Sequence, residues 1–248
     1  MAKQSGLGDA LYAAGYDVSG DINSLGNVGG GPSALVFTGI DKSAFERKGG
    51  VRDGRVEFVS YFNPGTDAAH ERFSPLPTTD QIVTYCRGTS LGSPAACLVG
   101  KQLNYDGTRS DDGSFTFAIN AVANGFGLEW GRLLTAGKRT DTTATNGSSV
   151  DFGTGSTAFG LQAYLHVFAF TGTSVTVKLQ ESSDDGAVDP WTDVTGGAFT
   201  AATGITSERI QTGRSQTVER YLRVVTTGTF SNAVFAVVVN RNATSTSF

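Results

Sequence analysis

The chain has 248 residues, a formal net charge of −4 and 33 glycines, but only one methionine and two histidines. That length can bury one large core or two modest ones, and abundant glycine and phenylalanine with scarce methionine favour short strands and tight turns over a helical bundle. Mild acidity, shared by both halves of the chain, excludes a surface dominated by attraction to phosphate.

The chain opens Met1-Ala2-Lys3-Gln4-Ser5-Gly6 with no apolar h-region after it, so a protein made in a cytoplasm is expected. Gly6-Leu7-Gly8 and Gly29-Gly30-Gly31 lack the Lys-Ser/Thr and the strand-to-helix context of a phosphate loop, and read as flexible connectors. A strand then runs into Val36-Phe37-Thr38. The polar, glycine-rich segment Asp41–Arg52 follows as an irregular loop, and Asp53-Gly54 opens a second strand. In that strand Val56, Phe58, Ser60 and Phe62 share one face, with Glu57, Val59 and Tyr61 on the other. Ordering so long a charged excursion is costly unless something outside the subunit orders it.

A short helix is expected at Asp67–Phe73, stopped by Pro75 and Pro77. Gln81–Arg87 and Ala95–Asn104 read as a hairpin closed through Gly88–Pro94, with Cys86 and Cys97 as buried free thiols. Phe115, Phe117, Ile119 and Ala121 alternate with Thr116, Ala118, Asn120 and Val122 as a half-buried strand. Six dipeptides are assigned to tight turns: Asp53-Gly54, Asp106-Gly107, Asp112-Gly113, Asn124-Gly125, Asn146-Gly147 and Asp185-Gly186.

Around Lys138–Ser149 almost nothing is available to bury, which suggests a linker. Strands are expected beyond it at Gly160–Phe170, Ser174–Glu181, Ala198–Thr200, Gln216–Thr226 and Ala233–Arg241, with Val175, Val177 and Leu179 facing one way. This spacing suggests a β-sandwich. The expected division is therefore residues 1–146 and residues 147–248, both mainly β. The longest apolar runs are too short to span a membrane.

Catalytic chemistry finds little support. His70 and His166 fall in different expected domains and neither has a positioned partner. Asp111-Asp112 and Asp184-Asp185 each precede a turn glycine, where adjacent carboxylates point apart into solvent. The Asn-x-Ser/Thr sequons at Asn146 and Asn242 are read as chance. No cofactor, no metal and no enzymatic activity are expected.

The order strand, basic loop, Gly50-Val51-Arg52-Asp53-Gly54, amphipathic strand, helix region Thr66–Leu76, Gln81-Ile82-Val83-Thr84-Tyr85, Ala95–Asn104 and Asp112-Gly113-Ser114-Phe115-Thr116-Phe117 resembles the tail tube proteins of long-tailed bacteriophages over roughly residues 10–140. The resemblance implies a tail-tube-like β-sandwich or barrel whose copies form stacked, hexameric rings around a DNA conduit. It places Asp41, Lys42, Phe45, Glu46, Arg47, Lys48, Arg52 and Asp53 at the contact between rings; a solvated loop is the alternative. The implied partners are further copies of the chain, other tail proteins, and genomic DNA passing without tight binding. The implied location is the virion tail, assembled in the bacterial host cytoplasm. Residues 147–248 depart from the simplest members and imply an accessory β-sandwich on the tube exterior. Trp191 and Tyr221 are candidates for a sugar platform there, against a core Trp and a strand-borne Tyr. A capsid or neck decoration protein and a pair of carbohydrate-binding β-modules remain the alternative readings.

Overall fold

The computed structural model describes residues 7–153 and 155–246. The opening Met1–Gly6 segment, and with it Gly6 of the first glycine pair, lies outside the described residues. Among the described residues the protein is mainly β with a single short α-helix, as its composition suggests, and every strand pairing described is antiparallel. No helix among the described residues is long and apolar enough to cross a membrane.

In chain order, β1 (Ala10–Ala13) and β2 (Tyr16–Asp17) form a small hairpin. The long strands β3 (Ile22–Val36) and β4 (Arg47–Tyr61) follow, then α1 (Ala69–Phe73). Next come β5 (Gln81–Cys86), β6 (Pro94–Arg109), β7 (Phe115–Ala123), β8 (Glu129–Leu133), β9 (Arg139–Asp141) and β10 (Asn146–Asp151). The chain ends with β11 (Leu161–Ser182), β12 (Thr192–Ala198), β13 (Thr206–Gln211) and β14 (Tyr221–Arg241).

These elements form two compact units that do not follow the expected division at 146/147. An inserted unit comprises Asp21–Gln81 and Leu98–Leu128; the main unit comprises the chain up to Gly20, Ile82–Cys97 and everything from Glu129 onward. The expected linker is part of the main unit. There β9 and β10 both pair with β14, and Asp141 is buried, taking both oxygens of its carboxylate to the Arg139 guanidinium at 2.8 and 2.7 Å and accepting the Thr226 hydroxyl at 2.7 Å. Charge pairing substitutes here for the apolar side chains that the segment lacks.

In the main unit, β11 and β14 pair along almost their whole length. Each absorbs two of the expected strands. The breaks anticipated between them are bulges, with register shifts at Val167/Ala169 and on both sides of Gly172. Gly172 (φ 151°), opposite Phe230, and Gly228 (φ 123°), opposite Val175, lie at this bend, where a Cβ would collide with the backbone of Phe230 and of Ser174 respectively. The two halves of the pair then contribute to one core: Leu165, Val167, Phe235 and Val237 from one end, Val175, Val177, Leu179 and Val224 from the other. β13 and β12 extend the pair along successive stretches of β11.

In the inserted unit β4 lies between β3 and β7, and β7 pairs onward with β6. The anticipated alternation holds: Val56, Phe58 and Ser60 are buried, as are Phe117, Ile119 and Ala121 on β7. Phe62, expected on the buried face, is exposed. Three Asx-Gly dipeptides do form turns, with Gly113, Gly125 and Gly186 at positive φ. The other three lie inside strands β4, β6 and β10, where a missing side chain serves close approach instead of a turn. The Gly29-Gly30-Gly31 run is likewise no connector. It lies within β3 opposite Arg55, Gly54 and Asp53, and a Cβ on Gly30 would strike the Asp53 carbonyl.

Candidate functional site

The strands β3 and β4 continue past the rest of their sheet. β7 follows β4 only from Tyr61 back to Arg55, whereas β3 follows it to Arg47, opposite Val36. Residues 31–36 and 47–53 therefore make a two-stranded ribbon, exposed along nearly its whole length. The expected irregular loop Asp41–Arg52 is thus shorter than anticipated: Arg47, Lys48 and Arg52 are strand residues like Asp53, and only residues 37–46 form the tip.

That tip is built by local bonds. Phe37 N–H donates to the Glu46 carbonyl at 2.9 Å, Glu46 N–H donates to Thr38 Oγ1 at 3.1 Å, and Lys42 N–H donates to the Gly39 carbonyl at 3.2 Å. Lys42 is within 3.4 Å of Asp41 and 3.8 Å of Glu46, both exposed pairs that add little stability. The Arg47 guanidinium sits over the Phe45 ring at 4.9 Å and the Lys48 ammonium over the Phe37 ring at 5.3 Å. Of the eight residues anticipated here, Asp41, Lys42, Phe45, Glu46, Arg47 and Lys48 gather at the tip. Arg52 and Asp53 lie further down the ribbon, opposite Pro32 and Gly31, and the Arg52 side chain lies against Gly127.

Sequence reasoning missed the apolar character of the site. Phe37 is 58% exposed and Phe45 68%, and Leu35, Val36, Ile40 and Val51 are exposed with them. The signal was present in Leu35-Val36-Phe37, since three successive large apolar residues on a strand cannot all face one core. β3 is in addition an edge: β4 is its one strand partner among the described residues.

The remaining candidates occupy structural roles. His166 is buried. Gly15 N–H donates to its Nδ1 at 3.2 Å, so Nε2 carries the proton and donates to Thr84 Oγ1 at 2.9 Å; that hydroxyl in turn donates to Cys97 Sγ at 3.4 Å. Burial lowers the imidazole pKa to about 3, so the ring is neutral. Cys86 and Cys97 are free and buried, as expected, and burial pushes the Cys86 thiol up to about 12. Asp184 accepts backbone N–H groups of Ala187, Val188 and Asp189 at 3.0, 2.7 and 3.1 Å and so shapes its own loop. Asn242 is buried and donates to the carbonyls of Phe159 and Gly160. Glu129 and Arg209 form a buried bidentate pair, with the Tyr164 hydroxyl donating to the same carboxylate. Trp191 is half-buried with the Arg223 guanidinium 4.4 Å over its ring, and Tyr221 carries that of Arg220 at 4.9 Å. The more exposed indole is Trp130, on β8.

No family model and no curated protein matches this chain. Among solved structures it is similar to a protein in the virion of a native gene transfer agent particle, at 11% identity and a TM-score of 0.42, covering 52% of this chain and 98% of that one. It is also similar to the Dit protein of phage SPP1, described as a paradigm of the hub adsorption apparatus in phages that infect Gram-positive bacteria, at 14% identity and a TM-score of 0.32, covering 94% and 98%. A third likeness is to a protein of the phage P2 baseplate in its activated, calcium-containing conformation, at 10% identity and a TM-score of 0.35, covering 94% and 98%. Likeness at these scores assigns neither a family nor a function.

Proposed function

We propose that this chain is a structural subunit of a phage tail, assembling as stacked rings, six copies to a ring, around a DNA channel, with the β3–β4 ribbon making the contact from ring to ring. The observation that carries this reading is the ribbon: two strands extended beyond their sheet, with Leu35, Val36, Phe37, Ile40, Phe45 and Val51 all exposed. An isolated two-stranded hairpin is marginal in water, and a long apolar edge invites uncontrolled pairing. A defined partner surface removes both liabilities, and the resemblance of the motif order to that of tail tube proteins suggests the kind of assembly in which one exists. The net charge of −4 suits a wall that DNA passes without tight binding, since every neutralised phosphate adds affinity through counterion release. In this reading the protein turns nothing over and resides in the virion tail.

Negative-stain microscopy of the purified full chain tests the proposal. Hollow tubes or stacked six-fold rings are the expected result. Single rings that never stack would point to a hub instead. Monomers that coat capsids, or that are retained on a glycan column through Trp191 and Tyr221, would replace the proposal with a decoration protein or a carbohydrate-binding module.

A further inference from the structure

The two ends of β4 carry unlike surfaces. At its start lies the ribbon tip, with Phe37, Ile40 and Phe45 exposed among Lys42, Arg47 and Lys48. At its end Tyr61 leads into a cluster of five rings. Tyr105 stacks on Phe117 with centroids 4.1 Å apart, Phe115 lies 4.6 Å from Phe117, and Phe62 meets His70 edge-on at 4.7 Å. The Tyr105 hydroxyl and His70 Nδ1 are 3.0 Å apart, which fixes the polar side of the cluster. Gly107 makes room for it, since a Cβ there would meet the rings of Phe117 and Phe115 at 2.9 and 3.0 Å.

The cluster is incompletely covered. Phe117 is buried, but Phe62 remains 41% exposed and Phe115 39%. Residues next to the cluster in the chain include the exposed acids Glu71, Asp111 and Asp112, with Arg109 exposed and the Arg72 guanidinium 3.8 Å from Glu71. Aromatic rings beside carboxylates complement a tip that presents aromatic rings beneath cations. Tip and cluster stand at opposite ends of the 15-residue β4, a span of about 45 Å at roughly 3.3 Å per residue. A copy therefore cannot cover its own cluster with its own tip.

We infer that the aromatic cluster around Phe62 and Phe115 is the receptor for the ribbon tip of the next copy of this chain. The inference rests on the stacked-ring reading and names the surface that the tip engages. A donor surface at one end and its receptor at the other make a heterologous contact, which builds an open stack when its rotation does not close a ring. Arg47 and Lys48 meet the acidic rim while Phe37 and Phe45 pack against Phe62 and Phe115, combining ring packing, cation–π contact and charge complementarity.

Mixed cross-linking of two full-length single-site variants tests this. Ser43→Cys marks the tip and Asp111→Cys the receptor rim, both at exposed positions, while Cys86 and Cys97 are buried. After mixing and treatment with a short bis-maleimide, cross-linked pairs containing one copy of each variant are expected, with far fewer from either variant alone. Phe115→Ser in the otherwise unchanged chain should raise the concentration needed for stacking by about tenfold or more, as for a truncated interface aromatic. If stacks form on micrographs yet the mixed pairs are missing and Phe115→Ser stacks normally, the receptor lies elsewhere and the ring-stack reading survives. If the unaltered chain forms no stacks, both fall together.

Discussion

The β11–β14 pair and the β3–β4 ribbon start from the same plan and end in opposite environments. Both join long antiparallel strands, and both are interrupted by register shifts that bend them. Along β11 and β14 the chain supplies its own covering layers, so that Leu165, Val177, Phe235 and Val237 are sealed. Along the distal β3 and β4 it supplies none, and leaves six large apolar residues in the open. The first pair is stabilised by folding alone. The second is left exposed by the subunit and, in the proposed assembly, is covered by another copy, so the two should respond to substitution in opposite ways.

The largest effect is expected from Phe235→Ala, which removes a fully buried ring from the main core. A loss of about 3–5 kcal/mol in unfolding free energy is anticipated, read from urea denaturation of the full chain. Phe45→Ala at the ribbon tip should stay within about 0.5 kcal/mol of the parent in the same assay, because the ring is 68% exposed and its stacked neighbour, the Arg47 guanidinium, is itself on the surface. Equal losses at the two positions would erase the distinction between the regions.

Acid should expose the main core next. His166 has a pKa of about 3 when folded, against an ordinary 6.5. The unfolded chain therefore takes up a proton below pH 6.5 that the folded chain refuses until about pH 3. Stability from this group is complete above pH 6.5 and falls as pH drops through that window, by about 2–3 kcal/mol at pH 4.5. His166→Gln should flatten that part of the pH profile relative to the parent, whatever its effect at neutral pH. An unchanged slope would mean that the imidazole is not held neutral among Gly15, Thr84 and Tyr12.

The smallest effect on stability, and the most telling on assembly, is expected from Arg47→Glu combined with Lys48→Glu. Both residues lie on the exposed ribbon, so unfolding free energy should change by no more than about 0.5 kcal/mol. Polymerisation should nevertheless stop, because the reversed charges would meet the acidic rim of the next copy. Unchanged tube length on micrographs would contradict the assignment of the tip.

The same contrast explains what could be read from the sequence. Period-two alternation marked Val56–Ser60, Phe117–Ala121 and Val175–Leu179 correctly, because each of those stretches has one buried and one less buried face, whereas Phe115, read onto the face of Phe117, is exposed. It could not mark residues 47–53 as strand, since a ribbon exposed on both faces carries no alternation. It divided β11 and β14 because Gly172 and Gly228 look like breaks and act as bends. It took Lys138–Ser149 for a linker because the residues holding that segment are charged and hydroxylic: Arg139, Asp141 and Thr226. At the candidate site the charged residues of the tip were legible, whereas their placement on a ribbon and the aromatic cluster at its far end depend on strand register, which composition does not encode.

Amide hydrogen exchange along the ribbon tests the central claim most directly. In dilute, unassembled protein the distal amides of β3 and β4, residues 31–36 and 47–53, should exchange far faster than those of β11 and β14, as expected for a two-stranded element without a covering layer. On assembly the ribbon amides should slow markedly while those of the main core barely change. Ribbon amides already protected in the isolated subunit, or equally fast in the assembled state, would contradict the account.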